Sequence, residues 1–534
     1  MIGMSVKRLC FISFLLVNLM PMFANSFAGQ TKNVILIIGD GMGPQQIGLL
    51  EAYATQAQQS VIKNRVTAFN RLLNDGGVLG ISMTASANVL VADSASSATQ
   101  LATGKAAGSE MLGIDVNGAS NPSILDIAKK MGKSTGLVSD VRITHATPAA
   151  FAAHQPHRSM ENAIALDMLV TAPDVMLSGG LRHWIPQQAN DQNSEIYKQL
   201  KQMTSGVIAI SSKRTDDLNL LTKAQSQGYQ LAFTQSQLQN INGKVLGLFG
   251  SSALPDALAV KKNHHSSVPS LKEMSAKAIE ILSKNDNGFF LMIEAGMLDW
   301  AGHYNDTGTL LHELLKINGV LEYVLDWAQD RDDTFIIVTA DHETGGFGFT
   351  NSGANLPKPV KFPGTLFPEN KLAPALNFGN SIVLDKLYNQ KSSYTEIFSQ
   401  FDSLAREQKT PLQLMNIINQ QTDFSINETQ AERILETEKN PLYLKGHKYL
   451  GSREVPRMSV NDAFFFYQTD DNRQNLLAIE VAVNQSVTWS NGGHTATPVL
   501  VFVKGSEREM KPFSSFMHHT DVGRKAIDVL KNNH

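Results

Sequence analysis

Five short runs of apolar or β-branched residues alternate with longer stretches of helical periodicity along this 534-residue chain. The runs occupy residues 34–38, 134–139, 289–293, 334–339 and 499–503. Strands that are apolar along their whole length are typical of a largely parallel sheet with helices packed on both faces. The pattern therefore predicts an α/β fold with a central, largely parallel sheet flanked by helices.

Polar side chains follow four of these runs where each predicted strand ends. They are Asp40, His145, Thr147, Glu294, Asp341 and His342. In open α/β sheets, ligands bind outside the carboxyl ends of the strands. Each residue alone is also consistent with a turn, because short polar residues favour turns. Their recurrence at one edge of the predicted sheet favours a functional site.

Two other segments supply further candidate ligands. Asp299 and His303 are four residues apart, so a helix that begins near Met297 would carry both on one face, at a spacing that lets two side chains hold one metal ion. His494 follows a glycine turn and precedes the last apolar run. The alternatives are a solvated helix face for the pair and an ordinary loop histidine for His494.

The residue types indicate which ions would bind. Carboxylates mixed with imidazoles suit zinc, whereas the oxygens of Asp40, Thr147 and Glu294 suit a harder ion such as magnesium. Burying Asp341 and His342 unpaired would cost several kcal/mol, and metal ligation would satisfy both. Two ions roughly 3.5–4 Å apart can hold the attacking and the leaving oxygen of an in-line displacement. The sequence therefore predicts a multi-metal site suited to phosphoryl transfer.

The stretch VADSASSATQLATG, residues 91–104, places Asp93 and Ser94 at the start of a predicted helix that ends on Gly104. Asp and Ser are preferred at helix N-caps, so the pair could serve only as a cap. A serine could also be a nucleophile there if a base or a metal ion activated its hydroxyl. The stretch alone leaves both interpretations open.

Together, these segments resemble the alkaline phosphatase family. The matching motifs are GDGMG at 39–43, DSA at 93–95, HATP at 145–148, the spacing of Glu294, Asp299 and His303, TADHE at 339–343 and GGH at 492–494. They occur in the family's order from residue 33 to about residue 503. The resemblance implies hydrolysis of small phosphate monoesters with two Zn²⁺ ions and one Mg²⁺ ion as cofactors.

The resemblance also implies that Ser94 attacks phosphorus and becomes a phosphoserine. The residues expected at one zinc ion are Asp40, Ser94, Asp341 and His342, and those expected at the second are Asp299, His303 and His494. The second ion is expected to stabilise the departing alcohol and then to activate the water that cleaves the phosphoserine. Independently, a helix that begins at Ser94 would favour a phosphate dianion through its free N–H groups and its dipole.

Arg158 stands where the family carries an arginine that clamps phosphate, shortly after the threonine ligand. A guanidinium group binds two phosphoryl oxygens at once, which favours monoesters because a diester lacks one of the free oxygens. Asp93 is expected to orient Arg158. The predicted catalytic residues are therefore Ser94 and Arg158, and the predicted substrate-binding residues are Asp93, Ser94 and Arg158.

The third metal site is expected to contain Asp40, Thr147 and Glu294, with His145 as a further ligand. Many bacterial members of the family carry an aspartate and a lysine at the positions of His145 and Trp300, whereas animal members also have histidine at the first. An imidazole could favour zinc over magnesium. Loss of the lysine removes one indirect phosphate contact, which predicts easier product release.

The first 28 residues read as an export signal. Lys7 and Arg8 precede an apolar run, which ends before a small-residue pattern at 26–28. This arrangement predicts a signal peptide at 1–28 and a periplasmic or secreted protein. A permanent anchor helix is the alternative, but the apolar run is shorter than the roughly 20 residues of a span and contains Pro21.

Charge and cysteine content narrow the function further. Without Lys7 and Arg8 the 46 Lys and Arg become 44, which against 49 Asp and Glu gives a net charge of −5. This mild acidic balance offers no electrostatic case for binding nucleic acid or an anionic membrane. No later stretch is apolar enough to span a bilayer. Since the one cysteine, Cys10, lies in the predicted signal, no disulfide is expected in the mature chain.

Residues 29–534 are expected to form one alkaline phosphatase-like catalytic domain with an insertion at about 345–485 on its rim. The segment is rich in Gly, Pro and Asn up to 374, is predicted to be mostly helical over 381–435, and mixes aromatic and polar residues over 463–483. A second independent domain is the alternative. By resemblance, the insertion is expected to act as a crown, lid or interface, and the protein to be a homodimer.

Other members of the wider superfamily are the main rival assignments. A sulfatase needs a modifiable Cys or Ser followed by Pro and Arg, which residues 94–97 lack. Arg158 argues against a phosphodiesterase, and export argues against a metal-dependent mutase of cytosolic sugar phosphates. A non-catalytic phosphate- or metal-binding protein would have lost at least one essential position, and every expected position is present.

Overall fold

The computed structural model describes residues 30–263, 267–447, 450–458 and 472–531. The predicted signal peptide at 1–28 lies outside these residues. Within them, no helix combines the length and the apolar character needed to cross a membrane.

Strands and helices alternate through the chain. The strands are β1 (Asn33–Gly39), β2 (Val78–Met83), β3 (Ser134–Arg142), β4 (Val175–Gly179), β5 (Gln230–Ala232), β6 (Val245–Leu248), β7 (Phe289–Ala295), β8 (Thr334–Thr339), β9 (Glu343–Thr344), β10 (Gly348–Phe349), β11 (Val360–Lys361), β12 (Lys371–Leu372), β13 (Thr437–Lys439), β14 (Glu454–Pro456), β15 (Val487–Thr488), β16 (His494–Thr495), β17 (Val499–Lys504) and β18 (Phe516–His518).

The helices are α1 (Pro44–Gln56), α2 (Ala68–Asn74), α3 (Ser94–Thr103), α4 (Ile124–Lys130), α5 (Ala146–Ala150), α6 (Glu161–Thr171), α7 (Glu195–Met203), α8 (Leu220–Ser226), α9 (Gln235–Gln239), α10 (Ala257–Lys262), α11 (Leu271–Leu282), α12 (Met297–His303), α13 (Thr307–Ala328), α14 (Ile382–Tyr388), α15 (Tyr394–Asp402), α16 (Pro411–Gln421), α17 (Glu428–Leu435), α18 (Asn472–Gln485), α19 (Glu507–Met510) and α20 (His519–Lys531).

A ten-stranded sheet with the order β18-β2-β17-β8-β1-β7-β3-β4-β6-β5 forms the centre of the molecule. The five predicted runs are β1, β3, β7, β8 and β17. Only β17 runs against its neighbours, since it pairs antiparallel with both β2 and β8 whereas the other pairs of this sheet are parallel. The predicted α/β fold with a largely parallel sheet flanked by helices is confirmed.

Two hydrophobic clusters cover the two faces of the sheet, which explains the uninterrupted apolar runs. In β1, Ile35 and Ile37 belong to one cluster, whereas Val34 and Leu36 belong to the other. Successive side chains of a strand point to opposite faces, so a strand buried on both faces has to be apolar at every position. The helices on both faces therefore hold the central strands, and the polar residues at their ends, in fixed positions.

The segment 345–485 combines packed helices with an exposed apolar stretch. Helices α14 to α17 lie within the predicted helical part, and Leu384 and Ile397 join the same hydrophobic cluster as the sheet. By contrast, Leu366, Phe367 and Phe378 are 85%, 56% and 69% exposed. Of the predicted mixed part at 463–483, residues up to 471 lie outside the described residues, and the rest is helix α18.

Candidate active site

The candidate ligands converge at one edge of the sheet because neighbouring parallel strands end there. Strand β1 pairs in parallel with both β7 and β8. Asp40 follows β1, Glu294 is the last residue but one of β7, and Asp341 with His342 follows β8. The polar residues that the sequence places after separate strands therefore lie side by side.

Three groups of candidate ligands have ligand atoms within 4.8 Å of one another. They are Asp299, His303 and His494; Asp40, Asp341 and His342; and Asp40, His145 and Glu294. The first two groups are the sets expected for the two zinc ions. The third unites Asp40 and Glu294 of the expected magnesium site with His145. Thr147, the remaining residue of that expected site, has its Oγ1 atom 3.5 Å from Oδ2 of Asp40.

Asp40 belongs to two of these groups and presents one oxygen to each. Its Oδ1 atom lies 3.5 Å from Nε2 of His342, and its Oδ2 atom lies 3.5 Å from Oγ1 of Thr147. The residue is fully buried. Its carboxylate is therefore placed to bridge two ions.

Backbone carbonyls orient two of the histidines. Nδ1 of His303 lies 2.7 Å from the carbonyl oxygen of Gly492, and Nδ1 of His494 lies 2.8 Å from that of Ala92. An N–H group at Nδ1 that donates to a carbonyl leaves the Nε2 lone pair free to bind a metal ion. The two Nε2 atoms lie 3.3 Å apart, and Nε2 of His303 lies 3.2 Å from Oδ2 of Asp299. These three side chains thus converge on one point.

Thr344, which the sequence analysis did not single out, connects two of the groups. Its hydroxyl donates a 2.5 Å hydrogen bond to Oδ1 of Asp299, and Oγ1 lies 3.3 Å from Nδ1 of His342. Gly41 has a φ of +72°, and a Cβ atom there would lie only 2.7 Å from Oγ1 of Thr344. The only sequence signal for Thr344 was its position two residues after His342.

Burial of several carboxyl groups at one point shifts their acidity. Burial, followed by repulsion between neighbouring carboxylates, raises the pKa of Asp40 well above its usual value. The same effects raise the pKa of Glu294 to about 8 and that of Asp341 to about 7. For Asp299, burial alone would raise the pKa, but the neighbouring histidines, His303 first, hold it well below its usual value. The protein alone therefore lacks enough positive charge to favour ionisation of Asp40, Glu294 and Asp341, whereas the histidines favour the ionised form of Asp299.

Four buried polar atoms of the site lack a hydrogen-bond partner within the described part of the chain. They are Oδ1 of Asp40, Nδ1 of His145, Oε1 of Glu294 and Oδ2 of Asp341. Buried polar atoms without partners are costly and rare in native proteins. All four residues belong to the ligand groups. Bound divalent cations would satisfy these atoms and offset the carboxylate repulsion, so the residues fit metal ions.

Ser94 is the first residue of helix α3 and lies at this centre. Its Oγ atom is 3.1 Å from Nε2 of His342, and the residue is 2% exposed. Asp93 is the N-cap, and Gly104, with a φ of +67°, ends the helix. The stretch 91–104 thus has the cap that its sequence indicates and also holds the Ser94 hydroxyl beside the candidate ligands.

One expectation about this helix is wrong. Two of the N–H groups expected to be free for phosphate, those of Ala95 and Ser96, donate to Oδ1 of Asp93 at 2.8 and 3.2 Å. Asp93 directly precedes the first residue of the helix, so its carboxylate reaches these N–H groups and accepts their hydrogen bonds. The helix dipole still favours a phosphate there, but the hydrogen bonds have to come from other groups.

Arg158 lies at the margin of the centre. Its Nη2 atom is 3.1 Å from Nε2 of His145, and its Nη1 atom is 3.9 Å from Oδ1 of Asp93. Its backbone N–H donates to the carbonyl of Glu110, and the N–H of Glu110 donates to Oδ2 of Asp93. The N-terminus of helix α3 and the Arg158 loop are therefore connected to each other through Glu110.

His145 and Trp300 are the two residues at which the resemblance implies a difference from many bacterial members of the family. His145 is the N-cap residue of α5, and burial, followed by the charge of Arg158, lowers its pKa well below the usual value. A neutral imidazole can bind a metal ion. Trp300 lies on α12, directly after Asp299, and is partly buried.

Further side chains that sequence reasoning missed hold the ligands in place. The Ser139 hydroxyl donates a 2.5 Å hydrogen bond to Oε2 of Glu294. The Asp341 carbonyl accepts from Oγ of Ser97 at 2.5 Å and lies 2.7 Å from Nε2 of the buried His519. Ser97 and His519 come from helices α3 and α20, far from Asp341 in sequence, so no local pattern could reveal these contacts.

The molecule is an α/β protein with three groups of side chains, clustered near the carboxyl ends of its parallel strands, that could each hold a metal ion. A family model described as alkaline phosphatase matches residues 31–530. The chain therefore belongs to the alkaline phosphatase family.

Individual relatives agree with this assignment. Alkaline phosphatase 3 of Bacillus subtilis is 32% identical over 512 residues, which cover 94% of this chain and 90% of the relative. Alkaline phosphatase 4 of the same organism is 34% identical over 335 residues, which cover 61% of this chain and 64% of the relative's own length. The crystal structure of a cold-active alkaline phosphatase from a psychrophilic Shewanella species is 25% identical, with a TM-score of 0.66 over 93% of this chain and 99% of that one.

Proposed function

We propose that the protein is an exported alkaline phosphatase that hydrolyses small phosphate monoesters through a phosphoserine on Ser94. The observation that carries this proposal is the position of the Ser94 hydroxyl, 3.1 Å from His342, among three groups of metal-binding side chains. A helix cap alone would need no such surroundings. Family membership supports the same reaction.

We assign Asp40, Asp341 and His342 with Ser94 to one Zn²⁺ ion, and Asp299, His303 and His494 to the second. Asp40, Thr147 and Glu294, with His145, are assigned to a third ion, Mg²⁺ or Zn²⁺. When bound, these ions supply Lewis acidity that favours the ionised serine, the departing alcohol oxygen and an attacking water.

The protein's own side chains bind and orient the reacting groups. The Ser94 oxygen gives up its proton to solvent and forms a bond to phosphorus while the bond from phosphorus to the alcohol oxygen breaks, and the departing alcohol oxygen takes up a proton from solvent. Water then gives up a proton and attacks the phosphorus of the phosphoserine, the bond from the Ser94 oxygen to phosphorus breaks, the Ser94 oxygen regains a proton, and inorganic phosphate leaves. Arg158 binds two phosphoryl oxygens during both steps, and Asp93 limits where its guanidinium can lie.

Export through a signal peptide at 1–28, a periplasmic or secreted location and a homodimer are part of the same proposal. The exposed Leu366, Phe367 and Phe378 support an interface in the segment 345–485, because apolar side chains grouped on a surface mark contact sites. Replacing all three by serine should halve the mass in solution. If the parent protein is a dimer and the variant has the same mass, the interface lies elsewhere.

Kinetics of the purified protein test the proposed reaction. The protein should hydrolyse p-nitrophenyl phosphate with an alkaline optimum, lose activity in a chelator and regain it with zinc plus magnesium. Ser94→Ala should remove this activity, while Ser275→Ala, which removes a buried hydroxyl on helix α11 that donates to the backbone carbonyl of Leu271, should retain it. Full activity of Ser94→Ala, or a preference for a phosphodiester, would contradict the proposal.

A further inference from the structure

A buried ion triad outside the ligand groups connects helix α13 with strand β3. Nζ of Lys316 lies 2.6 Å from Oδ2 of Asp140 and also pairs with Glu313, which precedes it by three residues on α13. The side chains of Lys316, Asp140 and Glu313 are 16%, 3% and 0% exposed. None of the three is a candidate ligand or belongs to a motif of the sequence analysis.

Asp140 uses its other oxygen at the start of helix α12. Oδ1 accepts hydrogen bonds from the backbone N–H groups of Gly296 at 2.7 Å and Met297 at 3.2 Å. The first N–H groups of a helix have no partner within the helix, and Gly296, at the N-cap position, has no side chain to accept them. Asp140 therefore caps α12 from a neighbouring strand.

Helix α12 is short, so its first turn fixes the whole element. It runs over seven residues, Met297–His303, and carries Asp299 and His303 of one ligand group. A shift of the first turn would move both side chains relative to His494, which lies on β16. The geometry of this ligand group therefore depends on where Asp140 lies.

Lys316 is the cation that pairs with Asp140 and holds it in place. Burial alone would lower the pKa of Lys316, but the charges of Asp140 and Glu313 raise it above its ordinary value. Glu313 is itself held by the backbone N–H of Ala257, which donates to Oε1 at 2.7 Å. Removing one member of a buried ion pair leaves an uncompensated charge, so the remaining carboxylates would have to protonate or move.

We propose that Lys316 is a positioning residue that holds Asp140 against the first turn of α12 and thereby sets the zinc affinity of the group formed by Asp299, His303 and His494. The inference rests on the proposed metal-dependent function. It assigns a role to the triad without any contact between Lys316 and the reacting groups.

Zinc binding to the metal-stripped full chain tests this proposal. In Lys316→Met, the free Zn²⁺ concentration that fills one of the two zinc sites should rise roughly 10- to 100-fold, as for other outer residues that orient ligands. The other site should change by less than about twofold, because Asp40, Asp341 and His342 lie outside α12. Lys316→Arg should recover most of the lost affinity. Lys277→Met, which removes a similarly buried lysine paired with Glu280 on α11, is the matched control.

Two double variants separate positioning from loss of charge and keep the test valid if Lys316→Met does not fold. In Asp140→Asn with Lys316→Met, the amide oxygen at position 140 can still accept from Gly296 and Met297 and carries no charge that needs Lys316, so zinc affinity should return close to the parent value. Asp140→Ala with Lys316→Met lacks that acceptor and should stay weak.

The outcomes distinguish the two proposals. Equal zinc affinities for Lys316→Met and Lys277→Met would overturn the positioning role, and so would equally weak binding by both double variants. A parent protein that binds no zinc would instead overturn the proposed function.

Discussion

Nη2 of Arg158 lies 3.1 Å from Nε2 of His145, so the proposed phosphate clamp touches a candidate ligand of the third metal site. The Arg158 side chain is 22% exposed, so it stays accessible from solvent while its guanidinium lies near both His145 and Asp93. A guanidinium group has five N–H donors, so Arg158 has further donors for phosphoryl oxygens. The phosphate clamp and the third metal site are therefore in direct contact.

Arg158→Ala should lower kcat/KM for a monoester about 10²- to 10³-fold, because two charge-assisted hydrogen bonds to the phosphoryl group are lost. Arg158→Lys should fall between the parent and the alanine variant, since an ammonium group does not form the bidentate contact. Parallel kinetics with p-nitrophenyl phosphate and bis(p-nitrophenyl) phosphate check the result. The diester should be affected less, and an equal loss for both esters would argue against a clamp.

His145→Asp should shift the third site from zinc towards magnesium, because a carboxylate oxygen replaces an imidazole nitrogen. Metal-stripped protein reloaded with both ions and measured for bound zinc and magnesium gives the answer. We expect a higher ratio of magnesium to zinc in the variant and a stronger dependence of activity on added magnesium. An unchanged ratio would mean that His145 does not contribute to the choice of ion.

Thr344→Val should weaken zinc binding roughly 10- to 100-fold while keeping the shape of the side chain. The variant loses the 2.5 Å hydrogen bond from Thr344 to Asp299. Thr344→Ser retains the hydroxyl and serves as the control. Titration of the metal-stripped protein with Zn²⁺ measures the change, and equal affinity for the valine and serine variants would contradict the role of this hydrogen bond.

The metal-free protein should become less stable between pH 6.5 and pH 8. The pKa of Glu294 is raised to about 8 and that of Asp341 to about 7, so the folded state binds more protons here than the unfolded state does. Stability therefore falls as pH rises through these values, by roughly 2 kcal/mol over the interval. Histidines with lowered pKa values, such as His494 at about 4, act in the opposite direction up to about pH 7.5, where the unfolded chain has lost its histidine protons, so the net fall is the excess of the carboxyl contribution over theirs.

Urea unfolding in the presence of a chelator measures this dependence. Glu294→Gln cannot ionise and should show a smaller loss between the two pH values. A free energy of unfolding that rises with pH over the interval would contradict the expected repulsion. Added zinc should restore stability at pH 8, because cations offset the carboxylate charges.

The placement of a site residue could be predicted where it depends on local spacing. The helical period places Asp299 and His303 on one helix face, and the ends of apolar runs place Asp40, Glu294 and Asp341 at one edge of the sheet. The direction of β17 was not predictable, since an apolar run reads the same in either direction along the chain.

The parts that could not be predicted depend on contacts between distant segments. Ser139 reaches Glu294 from 155 residues away, and the pair of Asp140 with Lys316 joins a strand to a helix on another part of the chain. The hydrogen bonds from the first N–H groups of α3 to Asp93 could not be predicted for a different reason. A sequence shows that a residue can cap a helix, but it does not show that the cap will occupy the N–H groups that a phosphate could otherwise use.

The position of Asp40 between two ligand groups has a consequence for how this centre can change. Asp40 belongs to both groups, so a substitution there should weaken both, whereas each remaining residue of those two groups belongs to one group only. We therefore expect the affinities for the two neighbouring ions to fall together when Asp40 is replaced. They should change separately only when a residue that belongs to one group is replaced.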